Sequence, residues 1–340
     1  MRVAVAMSGG VDSTGAALLL REQGHEVLGL HMRLHAYSDE TWEHARKVAS
    51  EIGVEIHLVD LAVEFRKHVI EPFVAEYARG KTPSPCPRCN REMKMGLLFQ
   101  AALSFGCDKL ATGHYARIEP GPCGLVLLKA ADRKKDQSYF LSMLTPGMLD
   151  RVVFPLGDLT KTFVRNMVAE RGITAAVSPE SQDLCFIPRG DYKTFLHQEG
   201  ITDRPGYFVN TERQVLGEHR GITNFTVGQR RGMGICAPEP LYVIKIEADD
   251  NLVVVGSREE SLVSAMRVER VNVLQSRGIS IGESFMVKVR SNARAVRGTV
   301  VAYKESSVEI QFDDAQAGVA PGQAAVLYDA DRVVAGGWIQ

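Results

Sequence analysis

Short apolar runs alternate with amphipathic stretches through the first third of the chain. Arg2–Met7, Val27–His31 and Glu55–Val59 are apolar runs of strand length. Between and after them lie Val11–Gln23, with an Ala/Leu face, Asp39–Ile52, with Ser38 as N-cap, and the long amphipathic stretch Ala62–Arg79. Strands alternating with helices predict an α/β, doubly wound parallel sheet. Three prolines within Lys81–Pro87 predict a loop, Glu92–Phe105 returns to helix, and Lys109–Thr112 reads as a short strand. A helix after Thr160, a loop holding Cys185 and a helix near Tyr192–Gln198 follow.

Beyond about residue 200 the period shortens toward two. Tyr207–Val209, Val215–Leu216, Leu241–Ile246 and Leu252–Val255 are short β-rich runs. From Met266 the pattern is all strand: Arg267–Val273, Ser284–Val289, Arg297–Tyr303, Ser307–Gln311 and Ala324–Tyr328. The expected organisation is a parallel-sheet domain over 1–200, a small β-rich domain over 201–262 and a C-terminal β-barrel-like domain over 263–340.

Composition narrows the classes. With 340 residues, 45% hydrophobic and 24% charged, the chain has globular values, so disordered and coiled-coil readings are excluded. No run of about 18 apolar residues predicts a membrane span, and the first strand begins at once, so the expectation is a cytoplasmic protein without a membrane partner. Forty Lys+Arg against 41 Asp+Glu leave a net charge of −1. A nucleic acid would therefore be held by a local basic surface, and Lys129, Arg133, Lys134 and Lys135 form such a cluster.

Six cysteines are too few for a disulfide scaffold in a chain of this length. Cys107, Cys123 and Cys236 read as small hydrophobes or idle loop thiols. Cys86-Pro87-Arg88-Cys89 has the spacing of a redox pair or of two ligands to a metal or cluster, and a four-ligand site would need a third thiol or an exogenous ligand from elsewhere. Arg88 is a cation able to favour the Cys89 thiolate.

Ser8-Gly9-Gly10-Val11-Asp12-Ser13 stands between the first strand and the first helix. Two glycines let the backbone approach a phosphate, and the helix start offers unpaired N–H groups. The loop has neither the Lys of a Walker A loop nor the spacing of a dinucleotide fingerprint. It suits a departing pyrophosphate.

This hexapeptide is identical to the signature of the PP-loop ATP pyrophosphatases. Further motifs follow in order: Thr82–Pro85 leading into Cys89–Lys94, Ala111–Arg117, Lys135–Leu141, Ser181–Pro188, Thr226–Gly232 and Pro321–Ala325. The series resembles the tRNA-specific 2-thiouridylase family, of MnmA type, over nearly the whole chain. The resemblance implies 2-thiolation of the wobble uridine in the tRNA anticodon loop: ATP with Mg2+ adenylates the C2 oxygen and enzyme-held sulfur displaces AMP. It implies an ATP site of Ala6, Met7, Ser8, Gly9, Gly10, Val11, Asp12, Ser13, Met32 and Gly113. Cys185 matches the persulfide-bearing cysteine and Cys89 the second, nucleophilic one. His114, Lys135, Asp136, Gln137, Arg290, Ser291 and Gln323 match tRNA-contacting positions; a histidine satisfied by its own hydrogen bonds is the competing reading of His114.

Where the family carries Thr-Pro-Asn-Pro-Asp-x-x-Cys-Asn, this chain has Ser84 for the Asn and Cys86 for the Asp. Cys86, Cys89 and Cys185 are then three thiols expected to converge, and three cysteines leave one open corner on a 4Fe–4S cluster. The expectations are a catalytic hydrosulfide on such a cluster, a persulfide on Cys185 released as a disulfide by Cys89, or zinc on the same thiols. The sulfur comes from a donor protein or inorganic sulfide. Two other classes stand beside this reading: a PP-loop enzyme adenylating a small molecule, and a thiol or metal sensor that binds nucleotide.

Overall fold

A computed structural model of the chain describes residues 1–35, 38–177, 184–187, 191–275 and 278–340. The side chain of Ser38, Ser181–Asp183 and Pro188 of the motif around Cys185 lie outside the described residues.

The alternation in the first third becomes β1 (Arg2–Ala6), α1 (Val11–Glu22), β2 (Glu26–Arg33), α2 (Ser38–Glu51) and β3 (Glu55–Asp60). A continuous helix covers 62–78 and a second covers 85–104, each with a π-helical middle, Arg66–Ile70 and Asn90–Leu98. β4 (Lys109–Ala111), the hairpin β5 (Ala116–Gly121) and β6 (Gly124–Lys129), and the short β7 (Val152–Val153) follow. β3-β2-β1-β4-β7 form one sheet, all parallel, with Val5 opposite both Gly29 and Ala111. β1 is apolar at every inner position because both its faces are covered. Val3, Val5 and Met7 pack with α1 and the Lys161–Glu170 helix, whereas Ala4 packs with Leu98, Phe99 and Ala102 on the other side. This is the doubly wound layering that the sequence predicts.

β8 (Gly206–Val209), β9 (Val215–His219), β10 (Tyr242–Glu247) and β11 (Leu252–Gly256) build a separate sheet around Phe208, Phe225, Val243 and Val253. The rest is a closed six-stranded barrel: β12 (Leu262–Val273), β13 (Ser284–Lys288), β14 (Val296–Lys304), β15 (Ser307–Ala317), β16 (Ala324–Asp329) and β17 (Arg332–Ile339), in the order β12-β15-β14-β13-β16-β17, with β12 pairing β17. Closure removes the exposed edges an open sheet would carry.

Three elements differ from the expectation. The loop over Lys81–Pro87 ends early, because Pro85 starts a helix; a proline in the first turn loses no helical hydrogen bond there. The β5–β6 hairpin, unmarked by its pattern, pairs with β17 through Leu128 and Arg332 and so extends the barrel sheet into the first domain. β17 contains Gly336-Gly337, which dilutes its strand signal; a Cβ on Gly336 would stand 2.6 Å from Ser142 Oγ. Leu98, Phe99, Tyr139, Ala324, Val326, Tyr328 and Val333 share one core, so barrel and parallel sheet are packed as a unit.

Candidate active site

β1 ends at Ala6, and the loop after it turns on Gly9, at φ +83°, into α1. Ser13 binds the loop to itself: its Oγ accepts from the Ser8 N–H at 3.2 Å and donates to the Gly10 carbonyl at 3.1 Å. No side chain caps α1, so its first N–H groups face the loop without a capping oxygen, the arrangement that receives an anion. His44 of α2 reaches the Gly9 carbonyl at 3.1 Å. The Asp12 carboxylate is held by Lys161, 2.7 Å from both oxygens, and by the Tyr115 hydroxyl, which donates at 2.8 Å. Tyr115 stood inside a motif of the sequence; Lys161 follows 149 positions after Asp12, with no local pattern to mark it.

The helix over 85–104 carries Cys86 and Cys89 on one face, three residues apart, and Lys94 in its π-helical part. Both thiols are half-buried. Burial pushes Cys86 up to about 11 and Cys89 up to about 12, against the pull of the Lys94 charge. Cys185, exposed, is also raised by the protein around its sulfur; it is felt by both other thiols and by Lys94. The Cys185 backbone hydrogen-bonds His35, just past the end of β2 and so close to Met32. The charges of Cys185 and Lys94 are thus felt at both Cys86 and Cys89.

His114 links Lys94 to the nucleotide loop. It is buried, with Nδ1 2.6 Å from Thr112 Oγ1 and Nε2 3.4 Å from Lys94 Nζ. Lysine can only donate, so Nε2 accepts and Nδ1 carries the proton toward Thr112. Burial first, and then the Lys94 charge, hold its pKa well below the usual histidine value. Next to it, Gly113 lies against the loop: a Cβ there would be 2.7 Å from the Asp12 carbonyl carbon and 2.8 Å from Ser13 N. Contact therefore runs from Asp12 and Ser13 through Gly113 and His114 to Lys94, whose charge is felt at the thiols.

One expectation about this site is corrected. Arg88 does not attend Cys89: it pairs with Glu76 at 3.4 Å and lies 5.6 Å from the centre of the Trp338 ring, so Lys94 is the cation of the thiols. Among the described residues no three His, Cys, Asp or Glu side chains are arranged to hold a metal ion. All six cysteines are free thiols.

The positions matched to tRNA contacts are engaged within the chain. Asp136 accepts from the Ala130 N–H at 3.0 Å and from Ser138 Oγ at 2.9 Å, and Gln137 Oε1 accepts from the Tyr115 N–H at 3.0 Å. Lys135 sits half-buried beside them. Arg290 donates to the Val227 carbonyl at 2.5 Å, the Ser291 carbonyl accepts from Lys288 at 2.7 Å, and Gln323 donates to the Thr82 carbonyl at 2.8 Å. Of the basic cluster, Lys129 lies over the Tyr328 ring at 4.3 Å and Arg133 pairs with Asp331. Lys134 is exposed.

Three family models match the chain in succession: a tRNA methyl transferase HUP domain over residues 1–189, a tRNA methyl transferase PRC-barrel domain over 193–257, and an aminomethyltransferase beta-barrel domain over 263–339. Among curated relatives, the tRNA-specific 2-thiouridylase MnmA of Syntrophotalea carbinolica is 45% identical, covering 99% of this chain and 98% of its own. That of Geobacter metallireducens is 42% identical over 99% and 96%, and that of Syntrophomonas wolfei 42% over the full length of both. With identity at this level from end to end, the protein belongs to the MnmA family of tRNA-specific 2-thiouridylases.

Proposed function

We propose that the chain uses ATP to replace the C2 oxygen of the wobble uridine (U34) of tRNA with sulfur. The observation that supports this best is the contact chain Ser13–Gly113–His114–Lys94, which links a pyrophosphate-type loop to the lysine whose charge the three thiols feel. ATP would bind at Ala6–Ser13, Met32 and Gly113, its phosphates on the loop N–H groups and the start of α1, with Mg2+ accompanying the phosphates. The uridine C2 oxygen attacks the α-phosphorus and pyrophosphate leaves. An oxygen that is a poor leaving group thereby becomes part of departing AMP. Anticodon bases can be splayed out to reach such a site, and His114, Lys135, Asp136, Gln137, Arg290, Ser291 and Gln323 are candidates for the surface that receives the RNA.

For the sulfur step we favour the persulfide route, since Cys185 is exposed to a donor and its charge is felt at Cys89. Cys185, the exposed thiol, receives a sulfur atom from a donor. The terminal sulfur of the Cys185 persulfide attacks C2 and expels AMP, leaving a Cys185–S–S–C2 link. The Cys89 thiolate attacks the Cys185 sulfur. A Cys89–Cys185 disulfide forms, the 2-thiouridine sulfur leaves with the electron pair, and an external thiol then reduces the disulfide. Burial holds Cys89 as the thiol, against the pull of the Lys94 charge, so its thiolate is scarce near neutral pH.

The test is a reaction of purified protein with tRNA, ATP and a persulfide donor, read by mass spectrometry of anticodon nucleosides. Wild type forms 2-thiouridine at the wobble position, Cys185→Ser and Cys89→Ser form none, and Cys86→Ser retains activity. A loss in Cys86→Ser equal to that in Cys185→Ser, with iron in anaerobically purified protein, would replace the persulfide route by a cluster.

A further inference from the structure

The helix that carries Cys86 and Cys89 is entered through residues 81–84, and this entry is fastened to the barrel. The Thr82 N–H donates to the Pro321 carbonyl at 2.8 Å and the Ser84 N–H to the Gly322 carbonyl at 3.2 Å. Gln323 Nε2 returns a hydrogen bond to the Thr82 carbonyl at 2.8 Å, and Lys81 Nζ donates to Gln340 Oε1 at 2.8 Å. One turn into the helix, Arg88 is held between Glu76 and the ring of Trp338, a β17 residue. The barrel side is itself tied down: the Gly322 N–H donates to the Ile339 carbonyl and the Ile339 N–H to the Gln323 carbonyl, both at 2.9 Å. Gly322 sits at φ +89°, where a side chain is disfavoured, and a Cβ on it would stand 3.1 Å from the Thr82 carbonyl carbon and oxygen.

We propose that the turn Pro321–Gln323 is a clasp, and that Gln323 and Gly322 are positioning residues that set the Cys86/Cys89 helix against the rest of the active site. This rests on the thiolation reading above, and it gives Gln323 a task separate from touching RNA. The clasp spans 241 positions of sequence to meet a segment immediately before the cysteines, with paired main-chain bonds on both sides. Group transfer between two sulfurs tolerates little misplacement; a shift of about 1 Å costs on the order of a hundredfold in rate.

Gln323→Glu keeps the shape but replaces the donor with a carboxylate facing the Thr82 carbonyl. Gln323→Asn shortens the reach, and Gly322→Ala adds the Cβ. Each is measured in two ways. Without tRNA or ATP, iodoacetamide labelling of individual cysteines is followed by peptide mass spectrometry. Expected is severalfold faster labelling of Cys89, with buried Cys107 unchanged. In the thiolation assay, kcat is expected to fall ten- to a hundredfold while KM for tRNA stays within about twofold. A raised KM with unchanged kcat and unchanged Cys89 labelling makes Gln323 an RNA contact and overturns the clasp. So does Cys107 labelling that rises in step with Cys89, which marks general loosening. The labelling result stands whether or not the protein thiolates tRNA, so a failed thiolation reading and a failed clasp give different outcomes.

Discussion

Burial works in opposite directions on the two kinds of titrating group around Lys94. It keeps the thiols protonated and His114 deprotonated, so each prefers the neutral form. Lys94 opposes burial at the thiols and reinforces it at His114. Lys94→Met is therefore expected to raise all three thiols further and to slow iodoacetamide labelling of Cys89 at pH 8 by about tenfold, the effect of losing one nearby opposite charge. Labelling rates measured across pH check this; an unchanged Cys89 profile would mean that Lys94 does not set its reactivity. The signs also predict stability. His114 is depressed below its ordinary 6.5, so the unfolded chain binds the proton better. Its contribution is present in full above about 6.5 and is lost as pH falls below that. Cys86 and Cys89 are raised from an ordinary 9, so their contribution is whole below pH 9 and is lost as pH climbs toward 12. Urea midpoints are expected to decline on both sides. Cys86→Ser with Cys89→Ser should make the alkaline limb shallower, the part that remains coming from Cys185, Cys107 and the buried tyrosines, and leave the acid limb unchanged.

At the scale of elements, the site is made where three strand ends and one helix meet. Gly113, after β4, lies against the start of α1 so closely that a Cβ on it would stand 2.7 Å from the Asp12 carbonyl carbon, which leaves no room for a methyl group. Gly113→Ala is expected to cost about 1–3 kcal/mol, as overpacking does, and to weaken ATP binding together with it; calorimetric titration and a denaturant midpoint report the two effects. The parallel sheet, the nucleotide loop and the pairing of Cys86 with Cys89 were legible because each is written locally, as a period, a hexapeptide or a spacing. That Cys185 joins them follows from the family resemblance, not from local pattern. Arg88 shows where a local reading fails: the nearest cation in sequence to Cys89 turns toward Glu76 and Trp338, and a lysine five residues beyond Cys89 takes the place expected of it. A helix with a π segment between Cys89 and Lys94 changes which side chains share a face, and no pattern of apolar residues announces that. Lys161 on Asp12 and Gln323 on Thr82 were equally hidden, since both contacts bridge more than a hundred positions.

In the whole molecule the boundaries seen in sequence and the boundaries of packing do not coincide. Tyr328 and Val333 of the barrel share a core with Leu98 and Phe99 of the first domain, and the β5–β6 hairpin adds to the barrel sheet. The sheet around Phe208 has its own core. The first domain and barrel are therefore expected to unfold in one transition, while the central sheet opens separately. Tyr328→Ala is the sharper test, because Tyr328 is fully buried and its hydroxyl lies 3.2 Å from Ser138 Oγ. Removing it should cost about 3–5 kcal/mol, the range for large aromatic-to-alanine changes. In hydrogen exchange, amides of β1 and β4 should lose protection together with those of β16 and β17, while those of β8 and β11 keep theirs. Loss of protection confined to the barrel would mean that the two domains fold independently. In that case the barrel could not hold the cysteine helix in register for sulfur transfer, because a support that opens by itself fixes nothing.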